Sequence, residues 1–254
     1  MPTAAVLRIE IEHSLANRFP AALSPAPRTI REVAGTGIEA VDELLEGGLP
    51  VGAISELTGA ESSGRTSLAL AFVARRTKEG RVCAWVDVND AFDPESAAAN
   101  GVSLRQLLWV RCRYVKAAAK LERPWARLDQ ALRSTDLLLQ AGGFAAIVLD
   151  LGATACEHGN RIPAAMWFRF RQAADRTRCS LVVLGRTAYA QSSAAVVLEC
   201  SMQQVKTAGG TVVSGLEYDV RRRRERFKSL PQGQRKPPVS TWSVQPAWQA
   251  ARRA

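Results

Sequence analysis

The chain has 254 residues, 47% of them hydrophobic, which suits one substantial core with appendages better than two full domains. Its 34 lysines and arginines exceed 24 aspartates and glutamates, giving a formal net charge of +10. That charge favours DNA, RNA or an acidic protein as partner, and a solvated basic surface is the alternative. No apolar run is long enough for a signal peptide or a membrane span, so we expect a cytoplasmic protein.

The cysteine pattern indicates a reduced interior rather than disulfides or a metal site. The five cysteines lie far apart without a C-x-x-C pair, and four fall in or beside apolar runs. Only His13 and His158 are available as further ligands, so no zinc site can be assembled. We therefore expect small core residues in a reducing cytoplasm. The cysteines are Cys83, Cys112, Cys156, Cys179 and Cys200.

Three parts are predicted along the chain. Residues 1–29 form an N-terminal arm, with a helix from about Ile11 onward and a linker that contains prolines. Residues 30–230 form the core. Residues 231–254 change in composition to proline, glutamine, serine and arginine, which is typical of a flexible tail.

Within the core, short apolar runs alternate with helical stretches, which predicts an α/β fold with a mainly parallel central sheet flanked by helices. The last two strands, joined by a turn at Gly209 and Gly210, are predicted to form an antiparallel extension at the C-terminal edge. The predicted helices are Thr66–Thr77, Pro124–Ala141 and Pro163–Asp175. The predicted strands are Val51–Leu57, Val82–Val88, Leu107–Cys112, Phe144–Asp150, Ser180–Leu184, Ala194–Cys200 and Thr211–Val220.

A phosphate-binding loop is predicted at residues 59–66, between a strand and a helix, where the sequence follows G-x-x-x-x-G-K-[ST] except at one position. Gly59 and Gly64 let the backbone turn so that successive N–H groups face one anion. Thr66 would place a hydroxyl on a magnesium ion, and Asp150, at the end of an apolar strand, is the expected acidic partner. The alternative is a strand-to-helix turn that holds no ligand.

Arg65 stands where the motif requires lysine. Lysine is a compact point charge on a slim stem, whereas arginine carries a broad planar fork that does not fit easily inside a loop shaped around an ammonium. Arg65 could still neutralise a phosphate from a displaced position. Weakened nucleotide binding is therefore expected.

Several segments resemble the core of RecA in the same order, and the likeness extends roughly from Ile30 to Gly185. The Glu-Ser-Ser-Gly sequence of the phosphate loop is its most specific part. The resemblance implies a RecA-like P-loop core. The matching segments are Thr36–Asp42, Gly47–Gly52, Glu56–Gly64, Glu79–Asp87 and Ala91–Pro94.

The departures from RecA cluster around one pocket. Asn89 occupies the position of the glutamate that activates the attacking water, and an amide cannot accept that proton. Asp93 is retained where the family contacts adenine, but Ser96 replaces an aromatic ring. Arg186 stands where the family has a glutamine that senses the γ-phosphate. The resemblance thus implies ATP and Mg²⁺ bound weakly or not at all, with at most weak ATPase activity.

The nucleotide positions carried over from the resemblance lie in the loop and on two later strands. Thr66 and Asp150 would hold Mg²⁺ only if a nucleotide binds. The full set comprises Gly59, Glu61, Ser62, Ser63, Gly64, Arg65, Thr66, Ser67, Asp93 and Asp150.

Two loops that grip DNA in RecA are short here. Only Thr187–Ser193 separates the sensing strand from the next strand, and the loop after Asp150, with His158–Arg161, is short as well. A filament that pairs DNA strands is therefore not expected.

The shortened core, the P-loop with arginine in place of lysine and the basic C-terminal end are similar to the ImuA family. That resemblance implies binding to ImuB, an inactive Y-family polymerase homologue, and to a DnaE-type error-prone polymerase, with modulation of RecA itself, in SOS-induced mutagenesis.

Other features leave alternatives open. Arg221, Arg222, Arg223 and Arg224 could contact a partner or DNA, reach a neighbouring subunit's nucleotide, or guard a solvated edge strand. Trp242 and Trp248 could anchor to a partner or dock back on the core. Phe19 and Leu23 of the arm could mediate self-assembly or cap a RecA filament. A divergent RecA-paralogue ATPase that binds single-stranded DNA is the rival function.

Overall fold

The structure of the protein is a computed structural model that describes residues 32–112, 126–152, 154, 156–208, 212–225 and 239–244. The predicted N-terminal arm, with Phe19 and Leu23, lies outside the described residues. So do the turn at Gly209 and Gly210 and the second tail tryptophan, Trp248.

The described residues form an α/β fold, as the sequence predicts. Ten strands occur among them: β1 Val33–Ala34, β2 Leu49–Pro50, β3 Ile54–Thr58, β4 Cys83–Asp87, β5 Leu107–Arg111, β6 Ala146–Asp150, β7 Ser180–Gly185, β8 Ala194–Ala208, β9 Val212–Glu225 and β10 Val239–Val244. The six α-helices of these ranges are α1 Glu39–Leu44, α2 Arg65–Lys78, α3 Pro94–Ala99, α4 Ala126–Ala141, α5 Cys156–Gly159 and α6 Ala164–Thr177. None of the described helices combines the length and the apolar character needed to cross a bilayer.

Eight strands form one sheet in the order β10-β9-β8-β3-β7-β6-β4-β5. The pairs from β8 to β5 are all parallel, and β9 and β10 are added antiparallel at the β8 side. This confirms the mainly parallel sheet with an antiparallel extension. The two short strands β1 and β2 form a separate antiparallel pair.

The parallel strands are apolar on successive residues because helices cover both faces of the sheet. Helix α2 contributes Leu68 and Phe72 to the core on one face. Helices α4 and α6 contribute Leu132, Trp167 and Phe170 to the core on the other.

Four of the five cysteines are buried free thiols, which confirms the expectation that they are core residues, and Cys156 is partly exposed. Burial raises the pKa of the Cys83 thiol to about 12. Such a thiol stays protonated and unreactive at neutral pH.

The C-terminal extension is longer than the sequence predicts. Strand β8 runs to Ala208, which pairs with Val212 of β9, and β9 runs to Glu225 because the arginines after Val220 continue the ladder with β8. Residues 239–244, which the sequence analysis assigned to a flexible tail, form β10 instead. The physical reason is Trp242, which is buried with its ring 4.8 Å from that of Tyr218 on β9. Of the two alternatives for this tryptophan, the structure has it docked on the core.

Candidate functional site

Four neighbouring parallel strands end at the same level of the sheet. The register pairs Thr58 with Gly185, Leu184 with Asp150, and Asp150 with Asp87. The loops that follow β3, β4, β6 and β7 therefore meet at one carboxyl edge, the usual place for ligand sites in parallel sheets. The sequence-predicted residues of the phosphate loop, Asn89, Asp93, Asp150 and Arg186 all lie at or just beyond this edge.

The phosphate loop has the tight turn that its sequence predicts. Gly64 begins α2 with φ +86°, and a Cβ atom there would lie 2.7 Å from the Tyr218 ring. A Cβ on Gly59 would lie 2.5 Å from the Ser63 hydroxyl. Only glycine fits either position without a shift of the neighbouring atoms.

Arg65 fills the inside of this loop with its own side chain. The residue is 8% exposed, and its Nη1 donates to the carbonyl oxygens of Gly59 and, at 2.5 Å, of Ala60. Its Nη2 donates over 3.2 Å to the carbonyl oxygen of Gly152, after β6. A Cβ on Gly152 would lie 3.0 Å from Nη2, so the missing side chain there makes room for the fork. The guanidinium thus serves the loop's own carbonyl groups.

The two residues expected to hold magnesium have different surroundings. Thr66 is exposed, whereas Asp150 is partly buried and accepts a hydrogen bond from the Gly152 N–H at 2.9 Å. Burial raises the pKa of the Asp150 carboxyl, and nearby Arg65 offsets part of that rise. In the described part of the chain, no three histidine, cysteine or acidic side chains gather as a metal site.

The remaining predicted loop residues differ in their exposure to solvent. Glu61 and Ser62 are exposed, Ser67 is partly buried, and Ser63 is buried. The Ser63 hydroxyl has no hydrogen-bond partner among the described residues.

Arg186 also turns towards the phosphate loop. Its guanidinium forms an ion pair with the Glu61 carboxylate, and both side chains are well exposed. The residue in the γ-phosphate-sensing position is therefore tied to the loop itself. Together with the buried fork of Arg65, this arrangement does not fit a tightly held nucleoside triphosphate.

Asp87, which no sequence motif identifies, organises the loop after β4. It is fully buried, and its carboxylate accepts hydrogen bonds from the backbone N–H groups of Asn89, Ala91 and Phe92 and from the Trp109 indole at 2.8–3.3 Å. Four donors on one carboxylate fix the course of this loop. The sequence signal that could have identified Asp87 is an acidic residue at the end of an apolar strand, the same signal that identified Asp150.

Asn89 and Asp93 are placed by this loop. The Asn89 amide donates to the Thr154 hydroxyl at 3.5 Å. Asp93 caps helix α3 by accepting from the N–H groups of Glu95 and Ser96. Hydrogen bonds, first that from the Ser96 hydroxyl, hold the pKa of the Asp93 carboxyl below its usual range. The side chain therefore already has partners within its own helix.

The short loops after β6 and β7 are fastened to each other. The buried ring of Tyr189 lies between Gly159 and Gly185, where a Cβ atom added to either glycine would clash with its ring carbons. We call Glu56, Gly159, Gly185, Tyr189 and Arg224 the loop clasp. The structure thus brings together residues that are up to 168 positions apart, and no local pattern could have identified them.

Two further members of the loop clasp hold the backbone of residues 187–193. Glu56, on β3, accepts hydrogen bonds from the N–H groups of Tyr189 and Ala190 at 2.6 and 2.9 Å. Arg224 donates to the carbonyl oxygen of Gln191 at 2.6 Å. Burial raises the pKa of the Glu56 carboxyl, and the two N–H donors offset only part of that rise.

The basic run is built into the sheet. Arg222 donates to the carbonyl oxygen of Leu44 at 3.1 Å, Arg223 pairs with Glu199 at 2.7 Å, and Arg224 belongs to the loop clasp. Arg221 is exposed and lies opposite Val239 of β10. Strand β9 lies between β8 and β10 here, so Arg221 is not on an edge strand.

Arginines of α6 and its flanks are paired in the same way. Arg169 donates to Asp136 through Nε at 2.9 Å, and Arg176 donates to Gln140. Arg178 forms an ion pair with Glu32. Arg171 lies 4.9 Å over the ring of Phe168. Each of these four side chains has a contact within its own chain.

Several known proteins are similar to this chain in sequence. Protein RecA of Ruegeria pomeroyi is 39% identical over 120 residues, and that of Allorhizobium ampelinum is 40% identical over 120 residues. Each match covers 47% of this chain and 31% or 30% of the relative. Protein RecA of Rickettsia canadensis is 33% identical over 142 residues, 56% of this chain and 38% of the relative. The chain thus spans between about 30% and 38% of the length of these curated relatives.

The family assignment rests on a longer match. Residues 9–160, more than half of the chain, match the RecA N-terminal domain family. The matched range contains the phosphate loop, the loop after β4 and strand β6 with Asp150. The chain therefore belongs to the RecA N-terminal domain family.

Proposed function

We propose that this protein is a non-catalytic RecA-like accessory factor of SOS-induced translesion DNA synthesis and damage-induced mutagenesis. In this role it binds ImuB and a DnaE-type error-prone polymerase and modulates RecA. The observation that carries the proposal is the Arg65 guanidinium, which is hydrogen-bonded to three carbonyl groups of its own chain.

The Arg65 contacts weigh against tight nucleotide binding. A triphosphate needs the positive charge at this position, yet the fork would have to leave a buried place and three acceptors. Hydrogen bonds made by a charged group contribute about 1.5–3 kcal/mol each. Losing two of these three bonds, at the lower figure, costs about 3 kcal/mol, which is roughly a hundredfold in affinity.

The groups around the loop support a non-catalytic role as well. Asn89 offers an amide where hydrolysis needs a base, and this amide donates to Thr154. Arg186 is paired with Glu61. The side chain of Asn89 therefore cannot accept the proton of an attacking water.

The loop clasp supports binding of proteins rather than strand exchange on DNA. Loops that open a DNA duplex must be free to enter it, whereas Tyr189, Glu56 and Arg224 hold residues 187–193 against the core. The formal charge of +10 still favours acidic partners and leaves DNA contact through the surface within the proposal.

The first experiment measures nucleotide affinity and turnover. Wild-type protein should bind a fluorescent ATP analogue weakly, with turnover near background with or without single-stranded DNA. Arg65→Lys should bind the analogue at least tenfold more tightly, because a lysine stem does not reach all three carbonyl groups. Arg75→Lys, an exposed change on the same helix, is the matched control.

A second experiment tests the partners directly. Purified wild-type protein should retain ImuB, the DnaE-type polymerase or RecA on a column, and retention should be independent of ATP. Hydrolysis that rises with single-stranded DNA and disappears in Asp150→Ala would overturn the proposal. That result would favour the divergent RecA-paralogue ATPase, whose strongest support is that Thr66, the residue expected to hold magnesium, is exposed.

A further inference from the structure

Three cations lie at the amino ends of two neighbouring parallel strands. Lys78 is the last residue of α2, Arg81 precedes β4, and Arg105 precedes β5. The register pairs Cys83 of β4 with Leu107 of β5, so Arg81 and Arg105, each two residues earlier in the chain, are brought to the same end of the sheet. We call Lys78, Arg81 and Arg105 the amino-edge cluster.

The turn that leads to β5 is fastened to the end of α2. The backbone N–H of Ser103 donates a hydrogen bond to the Thr77 hydroxyl at 3.1 Å. A Cβ atom on Gly101 would lie 3.0 Å from the Lys78 Nζ atom. The segment that carries Arg105 therefore packs beside the helix end that carries Lys78.

The positive charge of the amino-edge cluster is not neutralised by the chain itself. All three side chains are exposed, and none of them forms an ion pair with a carboxylate in the described part of the chain. Glu79, the acidic residue between Lys78 and Arg81, pairs with Arg75 at 3.5 Å and with Arg76 at 2.6 Å. Two other cations thus share this carboxylate.

Helix stability explains only part of this arrangement. The last turn of a helix presents unpaired carbonyl groups, which stabilise nearby cations, and this suits Lys78 and Arg81. Arg105 belongs to a different segment, so the same reason does not account for it. Like charges that gather at one place repel each other, and a bound anion offsets that cost.

The neighbouring side chains indicate which kind of anion fits. Protein interfaces depend on desolvated apolar or aromatic anchors, and lysine is depleted at them. Here the apolar neighbours Val82 and Leu104 are aliphatic and are 42% and 44% exposed. Exposed lysines and arginines without such an anchor are typical of contacts to the phosphates of a nucleic acid, which need no enclosed pocket.

The spacing of the strands suits a repeating anion. Neighbouring strands of a sheet lie about 4.8 Å apart, so the arginines that precede β4 and β5 present two charges side by side. A nucleic acid strand carries one phosphate charge per nucleotide, so several cations contact it at once. The cluster includes no aromatic ring on which a base could stack, and binding should therefore not depend on base sequence.

We propose that the amino-edge cluster binds the phosphate backbone of a nucleic acid without reading its bases. This inference goes beyond the proposed function, which rests on protein partners, and does not depend on them. The phosphate loop follows the carboxyl end of β3, whereas the cluster lies at the amino ends of β4 and β5. A nucleic acid bound here therefore leaves the phosphate loop accessible.

The test measures binding of single-stranded DNA to the full-length protein. A fluorescein-labelled oligodeoxythymidylate of about 20 nucleotides, longer than one typical site, is followed by fluorescence anisotropy at several salt concentrations. Each phosphate contact on a single strand contributes about −0.7 to the slope of log affinity against log salt concentration. Three contacts predict a slope of about −2 or steeper.

Variants locate the site. The double variant Arg81→Gln, Arg105→Gln should bind the oligonucleotide roughly fivefold more weakly. Its slope should be shallower by about 1.4, a change that loss of structure alone would not produce. Arg105→Gln alone should have about half of this effect on the slope. Arg133→Gln makes the same change at an exposed position of α4 and is the matched control.

Three results would overturn the proposal. The first is an unchanged affinity and slope in the double variant, and the second is an equal loss in Arg105→Gln and Arg133→Gln. The third is displacement of the probe by poly-L-glutamate as effectively as by unlabelled oligodeoxythymidylate at the same concentration of charges, which would assign the cluster to an acidic protein. Thermal unfolding of each variant checks that the fold is intact.

The anisotropy measurement contains no nucleotide and no partner protein, so its outcome is separate from the tests of the proposed function. Background ATP turnover together with DNA binding that the double variant weakens supports both conclusions. Retention of the protein partners without DNA binding would refute the amino-edge cluster alone. Vigorous DNA-stimulated hydrolysis with normal binding at the cluster would refute the accessory role alone.

Discussion

The phosphate loop and the paired loops after β6 and β7 both lie at the carboxyl edge of the sheet, and both are bound by the chain's own side chains. In the phosphate loop one residue, Arg65, makes these contacts, and the glycine turn beneath it is kept. In the paired loops the contacts come from two strands, through Glu56 of β3 and Arg224 of β9, and from the Tyr189 ring between two glycines.

The two regions therefore differ in how much of each must change before a ligand could bind. The phosphate loop keeps its glycine turn and the helix that follows it, so one substitution of Arg65 should alter its affinity for an anion. The paired loops are held by several buried contacts, so freeing them should destabilise the whole domain.

The largest effect is expected from Tyr189→Ala. Removing a buried ring from a packed interior costs about 3–5 kcal/mol of unfolding free energy. Tyr189→Phe keeps the ring and should cost about 1 kcal/mol or less. Urea unfolding followed by circular dichroism measures both values. If the alanine variant is as stable as the phenylalanine variant, the loop clasp does not support the domain and the contrast fails.

Gly152→Ala should have an intermediate effect, because the new methyl group would meet the Arg65 fork and the Asp150 carboxylate. Overpacking of this kind costs about 1–3 kcal/mol. In an Arg65→Ala background the same change should cost less, since one of the two obstacles is gone. A double-mutant cycle of unfolding free energies gives this coupling directly. Strict additivity would mean that Gly152 does not make room for the guanidinium.

The smallest effect is a pH dependence caused by Glu56. Because burial raises the folded-state pKa, the carboxyl contributes stability that is fully present below its unfolded pKa. That stability is lost as the pH rises through the folded pKa. Glu56→Gln keeps an oxygen acceptor for Tyr189 and Ala190 but does not ionise. The stability of the variant relative to wild type should therefore increase from acidic to neutral pH.

Urea unfolding at several pH values measures this difference. A constant offset between Glu56→Gln and wild type across the pH range would contradict the prediction. Asp150, whose pKa burial also raises, adds the same trend to both proteins and cancels in the comparison.

Much of the fold follows from local sequence. Apolar runs that alternate with helical stretches predict the parallel strands other than β8 to within a few residues, because strands covered on both faces are apolar throughout. Strand β10 could not be predicted, since its polar residues resemble a tail and its stability depends on Trp242 meeting Tyr218 across the sheet. The extension of β9 was missed because four consecutive arginines have low strand propensity and find their partners elsewhere in the fold.

The candidate site could be predicted only in part. The substitution of arginine for lysine at position 65 is visible in the sequence, and so is Asn89. The place that the guanidinium takes is not visible, because it depends on Gly152, which is 87 positions away. The same is true of Glu56, whose acceptor role needs a loop more than 130 positions later.

The arginines that contact their own chain also set the character of any encounter with a polyanion. Arg169, Arg178 and Arg223 each bind a carboxylate, and Arg222 and Arg224 each bind a backbone carbonyl. A nucleic acid strand arriving at these side chains would exchange established contacts for new ones. The long-range electrostatic attraction of the strand would then exceed the free energy gained from direct contacts. Moderate ionic strength would be enough to release the strand.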